Sequence, residues 1–162
     1  MTDPGVGVLF VCLGNICRSP TAQGILEHKA RQLGLEDAIF ADSCGTAAFN
    51  VGKPADPRAR AAASAAGYDL SDQFARQIAD DDYERFHYII AMDRTNLINV
   101  EAWRPAHFEG EIKLLMDYCE HDGSSQIPDP YYQSAEHFGE IIGIMEQAID
   151  GLLAHIRHQH SL

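Results

Sequence analysis

Four short apolar runs punctuate the chain, at Val6 to Val11, Ala38 to Ala41, Tyr88 to Met92 and Ile112 to Met116. Each is too brief for a buried helix and is bounded by polar or turn-forming residues, so each predicts a strand. Between them, helical patterns predict helices over about Thr21 to Leu33, Pro57 to Ala66 and Arg94 to Trp103. The clearest periodicity comes last. Phe138, Ile142, Met145, Ile149, Leu152 and Ile156 recur at steps of four and three, which draws one apolar stripe along a long helix and reads as packing against a sheet. Strands alternating with helices predict a parallel sheet with crossover helices. The expected fold class is therefore α/β, a three-layer domain with a four-stranded parallel sheet flanked by helices. In such folds ligands bind beyond the carboxyl ends of the strands. Cys12, Ser43, Asp93 and Asp117 each follow a predicted strand and are expected on that one rim.

The first strand runs straight into the residues that carry chemistry, Cys12-Leu13-Gly14-Asn15-Ile16-Cys17-Arg18-Ser19, followed by Pro20. Ser19-Pro20 is a helix-start signal, with Ser capping and Pro at the first helical position. A strand, a tight turn and a helix N-terminus meeting here aim backbone N–H groups and the helix dipole at one point, which suits a bound anion. Arg18 adds a planar fork of donors matched to phosphate oxygens. Gly14 and Asn15 are the residues best able to take positive φ, so they fit the bends of the curl. Positive charge gathered around a sulfur favours the thiolate, which makes Cys12 a nucleophile. A lone Cys closing an apolar strand is ordinarily a small buried hydrophobe. Arg and Ser at these offsets, with Gly inside the turn, favour the reactive reading.

The loop resembles that of the low-molecular-weight protein tyrosine phosphatases, whose pattern is Cys-x5-Arg-Ser. Further landmarks follow in family order: Ala55-Asp56-Pro57-Arg58, Ala75-Arg76-Gln77-Ile78, Met92-Asp93 and Asp129-Pro130-Tyr131-Tyr132. They span essentially the whole chain, so the resemblance implies one phosphatase domain over residues 1–162 with the phosphotyrosine phosphatase I-like fold. It implies hydrolysis of phosphotyrosine and aryl phosphate monoesters through a phosphocysteine, with Cys12, Arg18 and Asp129 catalytic and no cofactor or metal. The other residues of the loop, Leu13, Gly14, Asn15, Ile16, Cys17 and Ser19, then bind substrate, and Ser19 can donate a hydrogen bond to the sulfur. Phe49 stands where family members often carry an aromatic. With Tyr131, Tyr132 and Leu13 it is a candidate wall for a phenyl ring. The resemblance implies that Asn15 is held by a polar network that includes a serine, here Ser43, and a histidine, whose place Gln73 takes. Asp93 reads as a polar anchor for the loops. The family also suggests phosphorylation of Tyr131 and Tyr132, although an exposed Tyr pair is by itself a contact surface.

Asp129 lies in a stretch, Asp117 to Gln133, rich in Gly, Ser, Pro and acids and without regular patterning. Connections that long are usually functional or disordered. Pro130 holds Asp129 away from helical backbone angles, so its carboxyl can be presented at a fixed point as the proton donor that a departing phenolate needs.

Composition narrows the picture further. A chain of 162 residues with 46% hydrophobic content can bury one sizeable core. No apolar stretch approaches the ~20 residues of a membrane span, and the first residues show no signal-peptide form. The expectation is a cytoplasmic, reducing setting in which the four cysteines are thiols. A net charge of −12 with only 12 Lys and Arg argues against nucleic acid as a partner. It requires the phosphate site to be built locally and predicts salt-sensitive association with acidic phosphoproteins. Expected partners are tyrosine-phosphorylated proteins or peptides, with phosphate or another oxyanion in the loop. Cys17, so near Cys12, either packs or traps an oxidised Cys12 as a disulfide. The C-terminal His155, His158 and His160 read as a solvated helix end rather than a metal site.

Two other functions compete. An arsenate reductase on this scaffold needs further relay cysteines, and none lies between Cys44 and Cys119. A non-catalytic phosphate-binding module would not need an acid at Asp129. A branch of the fold that acts on phosphoarginine is disfavoured because Ile16 stands where Thr is expected.

Overall fold

The computed structural model of the chain describes residues 5–119, 126–131 and 133–162. The elements run β1 (Val6–Cys12), α1 (Arg18–Gln32), β2 (Ile39–Gly45), α2 (Pro57–Ala65), α3 (Asp82–Arg85), β3 (Tyr88–Ala91), α4 (Arg94–Ala102), β4 (Glu111–Leu114), a 3₁₀ turn (Leu115–Tyr118) and α5 (Ala135–His160). The four strands form one sheet in the order β2-β1-β3-β4, every neighbour parallel. β1 lies inside it and is buried along its whole length, as a strand covered on both faces must be.

The alternation of side chains along β1 separates two cores. Val8 and Phe10 pack with Ile25 and Leu26 of α1 and with Met145, Ile149 and Leu152 of α5. Leu9 and Val11 point the other way, toward Tyr83, Phe86, Val100 and Phe108. Helices α1, α2 and α5 thus cover one face while α3 and α4 cover the other, which makes the three layers expected. All six positions of the predicted α5 stripe are buried. Truncating one at its centre, Ile149→Ala, should cost about 2–5 kcal/mol of stability in urea unfolding, because the cavity left cannot collapse against a sheet.

Several boundaries differ from those predicted. β2 continues to Gly45, so Ser43 lies within the strand rather than after it. β2 is an edge strand with a half-exposed middle, and its polar Asp42 and Ser43 mask the apolar signal. β4 ends at Leu114, where the Asp117 carboxylate accepts the Leu114 N–H at 3.0 Å and tightens the chain into the 3₁₀ turn. Asp117 is spent on that turn and does not join Cys12 at the rim. α3, at four residues, is too short to announce itself by periodicity. Helix α1 starts at Arg18 with Cys17 at the cap position, so Ser19 does not cap and Pro20 is the third helical residue. No helix among the described residues is long and apolar enough to cross a membrane.

Candidate active site

From β1 the chain passes to β2 on one side and later returns to the other side of β1 for β3, so the order of strands reverses between β1 and β3 while all stay parallel. That crevice, at the carboxyl ends of the strands, is where such sheets hold ligands. A cavity of about 340 Å³ opens there. Its floor is the segment from Cys12 to Arg18, and Leu13, Phe49 and Tyr131 stand around it with Asp129.

The loop's donors face into this cavity because its acceptors are engaged by the segments packed around it. The carbonyls of Cys12, Leu13, Ile16 and Cys17 accept the backbone N–H groups of Thr46 (2.9 Å), Ala47 (3.0 Å), Asp56 (2.7 Å) and Thr21 (3.3 Å), and that of Gly14 accepts Asn50 Nδ2 (3.3 Å). In a trans peptide the following N–H points the opposite way, and no described peptide is cis. The N–H groups of Leu13, Gly14, Asn15, Cys17 and Arg18 are thereby turned to the concave side. That of Asn15 reaches Cys12 Sγ at 3.3 Å. The crossing of β2 under the loop leaves no room for a side chain at Gly45, where a Cβ would stand 2.6 Å from the Leu13 carbonyl oxygen. Gly45→Ala should therefore loosen the loop and weaken phosphate binding about tenfold or more by calorimetry, with the helical circular dichroism retained.

Asn15 alone takes the left-handed conformation in the loop, with φ 57°. Gly14 does not, contrary to the expectation that both would. Its lack of a side chain serves a close approach instead, since a Cβ there would meet Asn50 Nδ2 at 2.5 Å. The Asn15 side chain holds its own backbone in place. Nδ2 donates to Ser19 Oγ at 2.8 Å and Ser43 Oγ at 2.9 Å, while Oδ1 accepts the Arg76 N–H at 2.9 Å. Gln73 closes this network, accepting from Ser43 Oγ at 3.4 Å and donating to the Pro20 carbonyl at 3.0 Å. The amide thus makes contact in both directions at the place where the family resemblance puts a histidine. Ser19 Oγ accepts from Asn15, and its one hydrogen lies within reach of two acceptors, the Cys12 sulfur at 3.0 Å and the Cys44 carbonyl at 3.3 Å.

Arg18 is 3% exposed. Its Nη1 donates to Asp93 Oδ2 at 2.7 Å and to the Ile127 carbonyl at 3.0 Å, and Nη2 lies 3.6 Å from Asp129 Oδ2. Asp93 also caps α4 through the Asn96 N–H at 2.8 Å, so one carboxylate ties the arginine to the start of a helix. Asp129 is exposed, and its Oδ1 accepts the Tyr131 N–H at 3.0 Å, closing a short turn around Pro130.

Of the residues expected to meet substrate, Leu13, Gly14, Ile16, Cys17, Phe49 and Tyr131 line the cavity. Asn15 and Ser19 stand behind the sulfur instead, and Tyr132 lies outside the described residues. Asn50 and Lys53 also line the cavity and carried no signal in the sequence beyond a place between Phe49 and Asp56. Lys53 gives the rim a positive charge in a chain of net charge −12.

Cys17 differs chemically from what a loop cysteine suggests. Burial, and then the nearby Asp56 carboxylate, push its thiol well above the ordinary range, so it is a thiol at neutral pH. It packs with Ala59 of α2 and Phe138 of α5. Iodoacetamide at neutral pH should label Cys12 ahead of Cys17, read out by peptide mass spectrometry.

A parallel α/β sheet whose first strand ends in a cysteine over a ring of inward amides, with an arginine at the following helix start, defines a cysteine-dependent phosphoric monoester hydrolase. The chain belongs to the low molecular weight phosphotyrosine protein phosphatase family, whose sequence model matches residues 7–162. It is 36% identical to the low molecular weight protein-tyrosine-phosphatase YfkJ of Bacillus subtilis, over 97% of this chain and 99% of that one. It is 38% identical to the low molecular weight phosphotyrosine protein phosphatase of Schizosaccharomyces pombe, over 83% and 86%. Among solved structures, a protein tyrosine phosphatase of Entamoeba histolytica with Hepes in its active site superposes with a TM-score of 0.90 at 32% identity, covering 97% of this chain and 99% of that one.

Proposed function

We propose that the chain hydrolyses phosphotyrosine in proteins or peptides, and other aryl phosphate monoesters, through a phosphocysteine formed on Cys12. The observation that carries this is the meeting of Cys12, Arg18 and Asp129 around one cavity floored by inward amides. In the first step Cys12 Sγ attacks phosphorus in line and the P–O bond to the tyrosyl oxygen breaks. Asp129, protonated, gives its proton to that oxygen, so the phenol leaves neutral. Arg18 and the loop N–H groups hold the equatorial oxygens as charge builds on them. In the second step the Asp129 carboxylate takes a proton from water as the water attacks phosphorus. The S–P bond breaks and phosphate departs. The Ser19 hydroxyl, 3.0 Å from the sulfur, stabilises the thiolate both as nucleophile and as leaving group.

Leu13, Phe49 and Tyr131 form apolar walls that accept a phenyl ring and leave phosphoserine short of the sulfur. Phe49 is 65% exposed, a ring face open for an aromatic substrate to lie against. Hepes in the active site of the Entamoeba protein fits an oxyanion subsite, since that buffer carries a sulfonate. Lys53 supplies the local attraction for acidic phosphoproteins. One domain carries the whole reaction, and a reducing cytoplasm keeps Cys12 as the thiol it requires.

Initial rates on matched phosphotyrosine, phosphoserine and phosphoarginine peptides test the substrate. Phosphotyrosine should be preferred by at least about tenfold over each, the scale at which pocket fit discriminates. A faster rate on phosphoarginine or phosphoserine would overturn it.

A further inference from the structure

Arg58, at the second position of α2, makes bonds in three directions. Toward its own helix start, Nε donates to Asp56 Oδ1 at 3.1 Å and Nη2 to Asp56 Oδ2 at 3.0 Å. Toward the segment that bears Asp129, Nη2 donates to the Tyr131 carbonyl at 2.9 Å and Nη1 to the Gln133 carbonyl at 3.2 Å. Its plane also lies over two rings, 5.5 Å from the Tyr131 centroid and 4.8 Å from that of Phe138. Asp56 is itself joined to the anion loop, its N–H donating to the Ile16 carbonyl at 2.7 Å. An unbroken chain of bonds therefore runs from the loop under the phosphate, through Asp56 and Arg58, to the residues immediately after Asp129.

The far side of the Asp129 segment is fixed independently. The Ile127 N–H donates to the Met92 carbonyl at 2.8 Å and the Ile127 carbonyl accepts from Arg18. Between these anchors Pro130 is buried in a notch with Ala59, Phe138, Ile141 and Met145. Asp129 is thus the exposed crest of a span pinned at Ile127 by Met92, the residue after β3, and by Arg18, and at Tyr131 and Gln133 by Arg58.

We infer that Arg58 is a positioning residue for Asp129, and that with Asp56 it forms a brace setting where the acid stands relative to the Cys12 sulfur. The inference rests on the proton-donor role proposed for Asp129. Arg is required because its planar fork supplies separate N–H groups to a carboxylate and to two carbonyls at once, which a lysine ammonium on a flexible stem does not reproduce.

The test uses kcat/KM, which reports the step that expels the phenol, across aryl phosphates from phenyl phosphate to 2,4-dinitrophenyl phosphate. For Arg58→Gln and Arg58→Lys the loss should be about 10–100-fold on phenyl phosphate, the scale of a misplaced catalytic group. On the dinitrophenyl ester, whose phenolate leaves without a proton, it should stay under about threefold. That second rate, with thermal unfolding, shows that the variants are folded. Placed on Asp129→Asn, either substitution should add little, because both act through one proton. A loss equal across the series, or one that multiplies fully on Asp129→Asn, overturns the inference. If Asp129→Asn alone shows no dependence on the leaving group, it is the proton-donor assignment that has failed, and the brace fails with it.

Discussion

Cys12→Ser is expected to remove turnover of aryl phosphates by on the order of 10⁴–10⁶-fold, as loss of a covalent nucleophile does. Binding of inorganic phosphate, followed by calorimetry, should change by less than about tenfold. The asymmetry follows from the geometry. In the proposed mechanism the oxygens of a tetrahedral anion are held by the loop N–H groups, whose carbonyls are bonded to surrounding segments, and by Arg18, none of which the substitution touches. A hydroxyl in place of the thiol keeps the hydrogen-bonded site at Ser19 and Asn15 but does not ionise at neutral pH, so the pocket fills without reacting. Turnover that survives in Cys12→Ser, with phosphate binding intact, would remove the phosphocysteine reading.

Asp129→Asn should lower kcat/KM on phenyl phosphate by about 10²–10⁴-fold, the usual worth of a positioned general acid. The effect should shrink as the phenol becomes more acidic. Asparagine keeps the size of the side chain and can still accept the Tyr131 N–H, so a fall in rate isolates the proton rather than the turn. It also replaces a carboxyl 3.6 Å from Arg18 Nη2 by a neutral amide that cannot pair with the guanidinium as an anion, which leaves Arg18 more available to phosphate. Phosphate binding should then hold or tighten while catalysis falls, a split that a general loss of folding does not produce.

Strong acid should loosen the brace beside this site once the Asp56 carboxyl takes up a proton. Burial disfavours charge on Asp56, but the side-chain and backbone hydrogen bonds from Arg58 outweigh that and hold its carboxyl below the usual range. A carboxyl lowered in the folded state contributes stability above its unfolded pKa of about 3.9 and loses it as pH falls through the lower folded value. Asp56→Asn should therefore flatten the acid limb of the stability curve below about pH 4.

How much of this was legible in the sequence depended on whether a residue's partners were local. The nucleophile loop was readable because strand, curl and arginine are contiguous, and α5 because 26 residues of periodicity leave little ambiguity. The start of α1 was misread for a physical reason. Ser19-Pro20 has the form of a cap, yet the Ser19 hydroxyl is engaged by Asn15 Nδ2, the Cys12 sulfur and the Cys44 carbonyl, so the helix begins two residues earlier with no side-chain cap. Gly14 was read as a bend, whereas its small size answers to Asn50, a residue 36 positions away. Asn50, Lys53 and the Arg58 fork were not legible at all, since what they do is set by segments brought together only when the sheet is complete.

Catalytic competence is consequently a late event in the life of the chain. The curl after β1 is stitched to Thr46, Ala47, Asn50, Asp56 and Arg76, segments separated along the polypeptide and assembled around it. Closing such distant connections is slow compared with coiling a helix, so after dilution from denaturant the ellipticity should return first and the enzymatic signal last. The enzyme's own turnover thereby becomes a clock for the final stage of its maturation.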